Sequence, residues 1–450
     1  MIVVLIVSIA YWIYLYFHTS MVIVFDAGAY EQLGRMLHDE SWVNYFKTGP
    51  NREPLYPLSI ALSMHMADIF HVSYQKIQLI IQVLILAVSQ ILLWRLLVRF
   101  NIHRFIIGAV LLYWAFSPAI VNSAFSLFSE ILAYPFILLL IWFSLNLLAP
   151  VSHQRNIWVL WSGIMWGIVA LALVMVKAAS LYMLLIIGIW ILVLLCGRWI
   201  RGHQRELIVV IAIAMGCLIL QTGTTVYKSL NKRYNGFDVL TDRGPVMVYG
   251  NMVRRVEPHD GPRVKAAIAL VPGEGVCRLL AKAEDCQYWQ FMTSDALGSY
   301  RATALAASGY TSNDINKVLI HETKELIATH PLPVTFFGFL EGMKMLFWES
   351  TQIGFVTYPA WLTHAYDHLV FKSLLRLIMA IITGIALIGF AYTCFRSKDA
   401  NKILLLLMAI AFIFLYSWVT VLTRYAFPIV PVYLLIIGCW LNSWWEKSGR

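Results

Sequence analysis

The sequence predicts an all-α polytopic membrane protein of about ten transmembrane helices, with a small, mostly helical extracytoplasmic domain. Three observations carry that prediction. Of 450 residues, 60% are hydrophobic and 13% charged, against about 45–50% apolar in soluble domains. Apolar runs of about 20 residues, the length that crosses a bilayer, recur along the chain. Lys and Arg collect at alternate turns, the signature of topology set by positive charge. Backbone groups in hydrocarbon must pair within their own segment, so the spans are helices. A transmembrane barrel would show short alternating segments instead.

The expected spans are 2–24, 77–98, 105–123, 131–149, 157–176, 179–197, 207–226, 370–394, 403–422 and 425–443. Residues 2–17 lack a basic flank and a small-residue cleavage site, so the first segment reads as a retained span. Under this arrangement Arg95, Arg99, Arg104, Arg155, Arg198, Arg201, Arg205, Arg396, Lys398, Lys402, Lys447 and Arg450 all fall on one side. That side is cytoplasmic and holds both termini. The net charge of +10 would also suit a nucleic-acid partner. The basic residues are spread over short loops, however, which excludes that reading. Seventeen Trp and 22 Tyr fit interfacial belts.

Three parts follow: an N-terminal transmembrane module, 1–227; an extracytoplasmic domain, 228–369; and a C-terminal transmembrane module, 370–450. Two segments lie on the outer side. In 25–76, Tyr30, Leu33, Met36 and Leu37 recur at helical spacing, which predicts an amphipathic helix on the membrane. A second surface helix is expected from Pro57 to Phe70. The other segment, 228–369, begins with turn-rich sequence. Helical patterns follow near 277–308 and 313–329, and Pro331 and Pro333 precede another amphipathic stretch to Trp348. Of six cysteines, Cys277 and Cys286 lie here. Both free thiols and a disulfide formed in an oxidising compartment remain open.

The short outer connections each carry an ionisable residue: Glu130 in SLFSEILAYP, Lys177 in VMVKAAS and Arg424 in VLTRYAFPIVP. A charge at a membrane centre costs about 2.5–3.5 kcal/mol, and less at an interface. Topology puts these three on the same face as Asp26, Arg52 and Glu53. Such a gathering suits an anionic headgroup beside a carboxylate. Each residue also has a plainer role. Asp26 would cap a helix, Glu130 would cap or anchor its span, and Lys177 would snorkel to headgroups. Arg424 would mark the interface, and Arg52 and Glu53 would form a solvated pair. The twelve histidines show no metal-ligand spacing, and no Walker-type loop occurs, so no metal or other cofactor is expected.

Asp26-Ala27-Gly28-Ala29-Tyr30, Arg52-Glu53-Pro54-Leu55-Tyr56-Pro57-Leu58, Ser129-Glu130, Lys177 and Arg424-Tyr425-x-x-Pro428-x-x-Pro431, in that order and on one side, resemble the GT-C superfamily of integral-membrane glycosyltransferases. The likeness is to its protein-mannosyltransferase and aminoarabinose-transferase branch. It implies a sugar donor on a polyprenyl phosphate and a lipid, glycan or protein acceptor, such as lipopolysaccharide or another cell-envelope glycan. The implied setting is a bacterial inner membrane with the site facing the periplasm. By the same resemblance Asp26 is the general base, with Glu53 or Glu130 a further carboxylate. Arg52, Tyr56, Lys177, Arg424 and Tyr425 bind the substrate, and transfer inverts the anomeric centre. Lys177 departs from the Arg frequent there and offers a point charge without a bidentate fork. A single acid follows the first span, where some relatives carry a pair. Two other classes share the gross architecture. An O-antigen polymerase or ligase would rely on Arg and His in its outer loops. A non-enzymatic carrier or flippase would show mid-span polar residues and internal repetition.

Overall fold

The computed structural model describes residues 1–149, 156–200, 206–349, 353–419 and 421–448. Arg155, Arg201, Arg205 and Arg450, invoked above for topology, lie outside them. The protein is a helical, multi-pass integral membrane protein. Among the described residues eight helices are long and apolar enough to cross a membrane, or nine when the bent pair Arg104–Phe116 and Pro118–Phe125 counts as one span.

Three of the expected spans differ in detail. The first helix, Ile2–His18, has 17 residues. At 1.5 Å per residue it reaches about 26 Å, and it falls below the length that defines the eight. The chain then extends, and Ser20–Met21 pairs antiparallel with Val356–Thr357. The apolar run Val22–Phe25 had looked like a continuation of the helix, but the pairing takes the backbone out of helical geometry. The span expected at 105–123 bends by 47°. Ser117 adopts φ −58°, ψ 120°, because a residue before proline is pushed out of the helical region. The span expected at 403–422 ends as a helix at Ser417.

The helix after Asp26 also differs from expectation. Its apolar face packs on protein as well as facing outward: Tyr30 and Leu33 are buried, and Leu33, Met36 and Leu37 lie against Tyr45, Phe46 and Tyr227. The second surface helix is Leu55–Phe70. In the polar region the pattern near 277–308 resolves into Glu274–Leu280, Ala283–Tyr288 and Phe291–Ala307. Pro331 opens the helix Pro331–Lys344 rather than preceding it, since proline is tolerated in a first turn. Cys277 and Cys286 form a disulfide that joins the first two of these short helices.

Two helices form the centre of the bundle. Glu130–Leu148 and Val430–Ser448 bury most of their residues, among them Ile131, Tyr134, Ile137, Val432 and Tyr433 at 0% exposure. Asn156–Val176 and Glu206–Asn235 pack along a seam of small residues. A Cβ at Gly163 would lie 2.1 Å from the Ala212 carbonyl, and one at Gly167 2.5 Å from that of Gly216. Close backbone approach of this kind is what associates helices in lipid, where the hydrophobic effect between them is lost.

The bundle has two chemically distinct ends. Arg99 donates to Asn146 at 2.7 Å, the His103 amide donates to Asn442 at 2.7 Å, and the His103 ring stacks on Trp445. These contacts gather the far ends of the helices that begin at Glu130 and just after Arg424. Arg99 and Arg104 therefore lie at the end opposite Glu130 and Arg424.

Candidate functional site

Asp26 is the first residue of the helix Asp26–Arg35. Phe25 before it takes φ +50°, a left-handed conformation that strains a bulky residue by about 1–3 kcal/mol. The Asp26 side chain does not cap its helix. One carboxylate oxygen accepts from the Arg52 guanidinium and the other from the Arg424 guanidinium. Each cation is itself held. Arg52 lies 5.0 Å from the Tyr30 ring centre, and its carbonyl accepts from Tyr45 at 2.9 Å and Tyr227 at 3.5 Å. Arg424, 9% exposed at its side chain, rests 4.7 Å over the Phe128 ring on the turn Thr423–Ile429.

A second pair lies beside the first. Lys177 donates to Glu130 at 3.0 Å, with side chains 18% and 3% exposed. Burial works against the Lys177 charge, but the Glu130 carboxylate outweighs it and holds the pKa above the usual lysine value. Lys177 is thus engaged by protein rather than reaching to headgroups. Glu53 turns away from Arg52 and accepts from the Ala178 amide at 2.7 Å, fixing the turn that presents Lys177. Tyr56 is buried, donates to Gln82 at 2.7 Å and meets Tyr30 edge-on at 5.0 Å between ring centres. Tyr30 in turn shares a 2.9 Å hydrogen bond with Ser129.

These contacts enclose a chamber of about 30 Å³. Asp26, Arg52, Glu130, Lys177, Arg424 and Tyr425 line it; Glu53 and Tyr56 stand behind it and hold its walls. The chamber also receives Arg243, at the start of the helix Arg243–Val256. The Arg243 guanidinium makes no hydrogen bond or ion pair among the described residues. A lone Arg in the turn sequence TDRGP has no spacing that would single it out. Four cations and two carboxylates therefore face one another, an excess of two positive charges. Among the described residues no three side chains converge as metal ligands.

The chamber adjoins a cavity of about 550 Å³ that shares Asp26, Arg243, Phe291 and Arg424 with it. Lys344 and Arg376 line its other side. Lys344 belongs to a buried group in which Arg254, at 3.2 Å, and Lys344, at 3.0 Å, both donate to Glu341. The other Glu341 oxygen accepts from the Val421 amide at 2.8 Å. Glu349, fully buried, accepts from Tyr113, from Ser117 at 2.8 Å and from the Ala119 amide at 2.8 Å, and so braces the bent span. Burial raises its pKa. Neither acid stands out in sequence: apart from Lys344, three residues on from Glu341, their partners lie tens to hundreds of residues away.

No protein-family model matches the chain, and no curated protein matches its sequence.

Proposed function

We propose that this chain is a membrane glycosyltransferase that moves a sugar from a polyprenyl-phosphate carrier to an acceptor hydroxyl, with Asp26 as general base. The observation that carries the reading is the cationic excess around the Asp26 chamber. Buried positive charge without matching anions is costly, and a phosphate supplies the missing charge. Asp26 bridges Arg52 and Arg424. An incoming phosphodiester competes for those guanidinium groups and releases the carboxylate beside the reacting carbon. The acceptor oxygen then forms a bond to the anomeric carbon from the face opposite the phosphate. The carbon–oxygen bond to phosphate breaks, its electron pair leaves on the phosphate, and the hydroxyl proton passes to Asp26. Arg52, Lys177, Arg243 and Arg424 stabilise the leaving phosphate by fixed charge. The configuration inverts.

An apolar groove of about 470 Å³ between Trp42, Phe46, Leu171, Met175, Tyr227 and Tyr234 suits the polyprenyl chain. It lies beside Arg52, whose carbonyl Tyr227 contacts. The basic turns at the opposite end of the bundle favour a site on the extracytoplasmic face, the periplasm in a bacterial inner membrane, with Ile2–His18 as a tenth span. The Cys277–Cys286 disulfide accords with that orientation. A carrier would hold its charges in mid-span, whereas Glu130, Lys177 and Arg424 stand at helix ends.

The test is donor binding. In nanodiscs, Arg52→Ala and Arg243→Ala each weaken polyprenyl monophosphate binding about 10-fold or more, the worth of one charge-assisted hydrogen bond. Wild-type affinity in both variants would refute the phosphate cradle.

A further inference from the structure

The Asp26 chamber and the 550 Å³ cavity share Asp26, Arg243, Phe291 and Arg424. Three of these carry charge and serve as base or phosphate cradle. The fourth is an aromatic ring. With phosphate held in the chamber, the carbon bonded to it stands at this boundary, and so does the sugar ring.

Phe291 is firmly placed. It opens the helix Phe291–Ala307, which packs closely on Arg243–Val256. A Cβ at Gly250 would lie 2.0 Å from the Ser294 carbonyl oxygen, and one at Gly298 2.1 Å from that of Val246. Arg254 donates at 3.0 Å to the carbonyl of Gln290, the residue before Phe291. One close-packed helix pair therefore presents both Phe291 and Arg243 to the boundary. The Phe291 ring is half-buried. Its one ring contact among the described residues is edge-on, with Tyr425 at 6.4 Å between centres, so no ring is stacked on it. Asp295 follows four residues on, on the same helix face, and also lines the cavity. Its carboxylate makes no hydrogen bond or ion pair among the described residues.

These two groups match the two chemistries of a sugar ring. Its C–H face is slightly positive and is attracted to an aromatic face. Its hydroxyls donate well to a carboxylate. We infer that Phe291 and Asp295 form the subsite for the donor's sugar, its C–H face on the Phe291 ring and its hydroxyls donating to Asp295. This inference rests on the transferase reading and assigns the residues that select the sugar, whereas the cationic cradle recognises phosphate.

The experiment compares carriers of equal charge. Full-length protein in nanodiscs is titrated with polyprenyl methyl phosphate and with polyprenyl phosphates carrying glucose, mannose, arabinose or N-acetylglucosamine. Each is a phosphate diester, so the ratio of affinities reports the sugar alone. In wild type at least one glycosylated carrier is expected to bind about 10-fold or more tightly than the methyl diester. Phe291→Ala lowers that preference about 5-fold and Asp295→Ala about 10-fold, the worth of a stacked ring and of a charge-assisted hydrogen bond. Phe291→Tyr keeps the aromatic face and retains the preference. Affinity for the methyl diester stays at the wild-type value in all three variants, which shows them folded with the cradle intact. A wild-type preference in Phe291→Ala or Asp295→Ala, or equal affinity of wild type for every carrier, overturns the inference and leaves the cradle standing. A parallel fall in methyl-diester affinity would mark the residue as structural and overturn it too. Failure of folded wild type to bind any of the diesters refutes the transferase reading on which it rests.

Discussion

Asp26→Asn is expected to slow sugar transfer by about 10²–10⁴-fold, the usual worth of a general base, while polyprenyl phosphate still binds. The amide keeps the shape of the carboxylate but cannot take the acceptor's proton. It also gives up the charge that engages Arg52 and Arg424. Donor affinity is therefore unchanged or tighter in the variant, because phosphate no longer competes with a carboxylate for those two cations. A split between binding and turnover separates a chemical role from a structural one. A purely structural Asp26 would lose both together through collapse of the pair. Single-turnover transfer in proteoliposomes, read beside donor affinity, makes the distinction; a rate near wild type would remove Asp26 from the mechanism.

The largest stability loss is expected at Glu341. Glu341→Ala leaves Arg254, Arg255 and Lys344 buried without their carboxylate and takes the acceptor from the Val421 amide. Breaking a buried pair by removing one partner costs about 3–5 kcal/mol, so thermal unfolding in detergent shifts sharply downward. Glu341→Gln keeps hydrogen-bonding capacity and falls between the two. The same group predicts a pH dependence. Burial acts to raise the Glu341 pKa, but Lys344, Arg254 and Arg255 outweigh it and hold it below the usual carboxylate value. Its contribution is therefore complete above the unfolded pKa and is lost as pH falls through the lowered folded one. An unfolding temperature for Glu341→Ala equal to that of wild type would contradict the burial argument. The Val421 contact also carries the loss toward the site, since Val421 and Leu422 line the cavity shared with Asp26.

The membrane architecture was legible because length and apolar composition alone define a span, whatever it packs against. The wall of the chamber was partly legible for a related reason. Asp26, Glu130, Lys177 and Arg424 are charges at the ends of apolar runs, and topology assigns them to one face before any contact is known. What a charge pairs with was not legible. Arg52 and Glu53 are adjacent in sequence, yet one turns to Asp26 and the other to the Ala178 amide. Tyr56 belongs to the same motif but supports the wall from behind. Arg243 is one arginine in a turn and gains meaning only when its helix brings it over the chamber. The end of the first helix was hidden because Val22–Phe25 is apolar in either conformation. The strand that ends it, Ser20–Met21, pairs with Val356–Thr357, more than three hundred residues later. Leu33 illustrates the same limit: an amphipathic pattern names the buried face but not whether lipid or protein covers it.

Transfer itself is the most direct measurement. Purified protein in proteoliposomes is incubated with a panel of polyprenyl-phosphate sugars and a membrane lipid extract, and both released polyprenyl phosphate and the mass of the acceptor are followed. At least one donor is expected to be consumed, with a matching mass gain on an acceptor, and Asp26→Asn is expected to slow both signals by about 100-fold or more. Donors left intact by folded protein that binds polyprenyl phosphate, or equal consumption by Asp26→Asn, would contradict the proposed function.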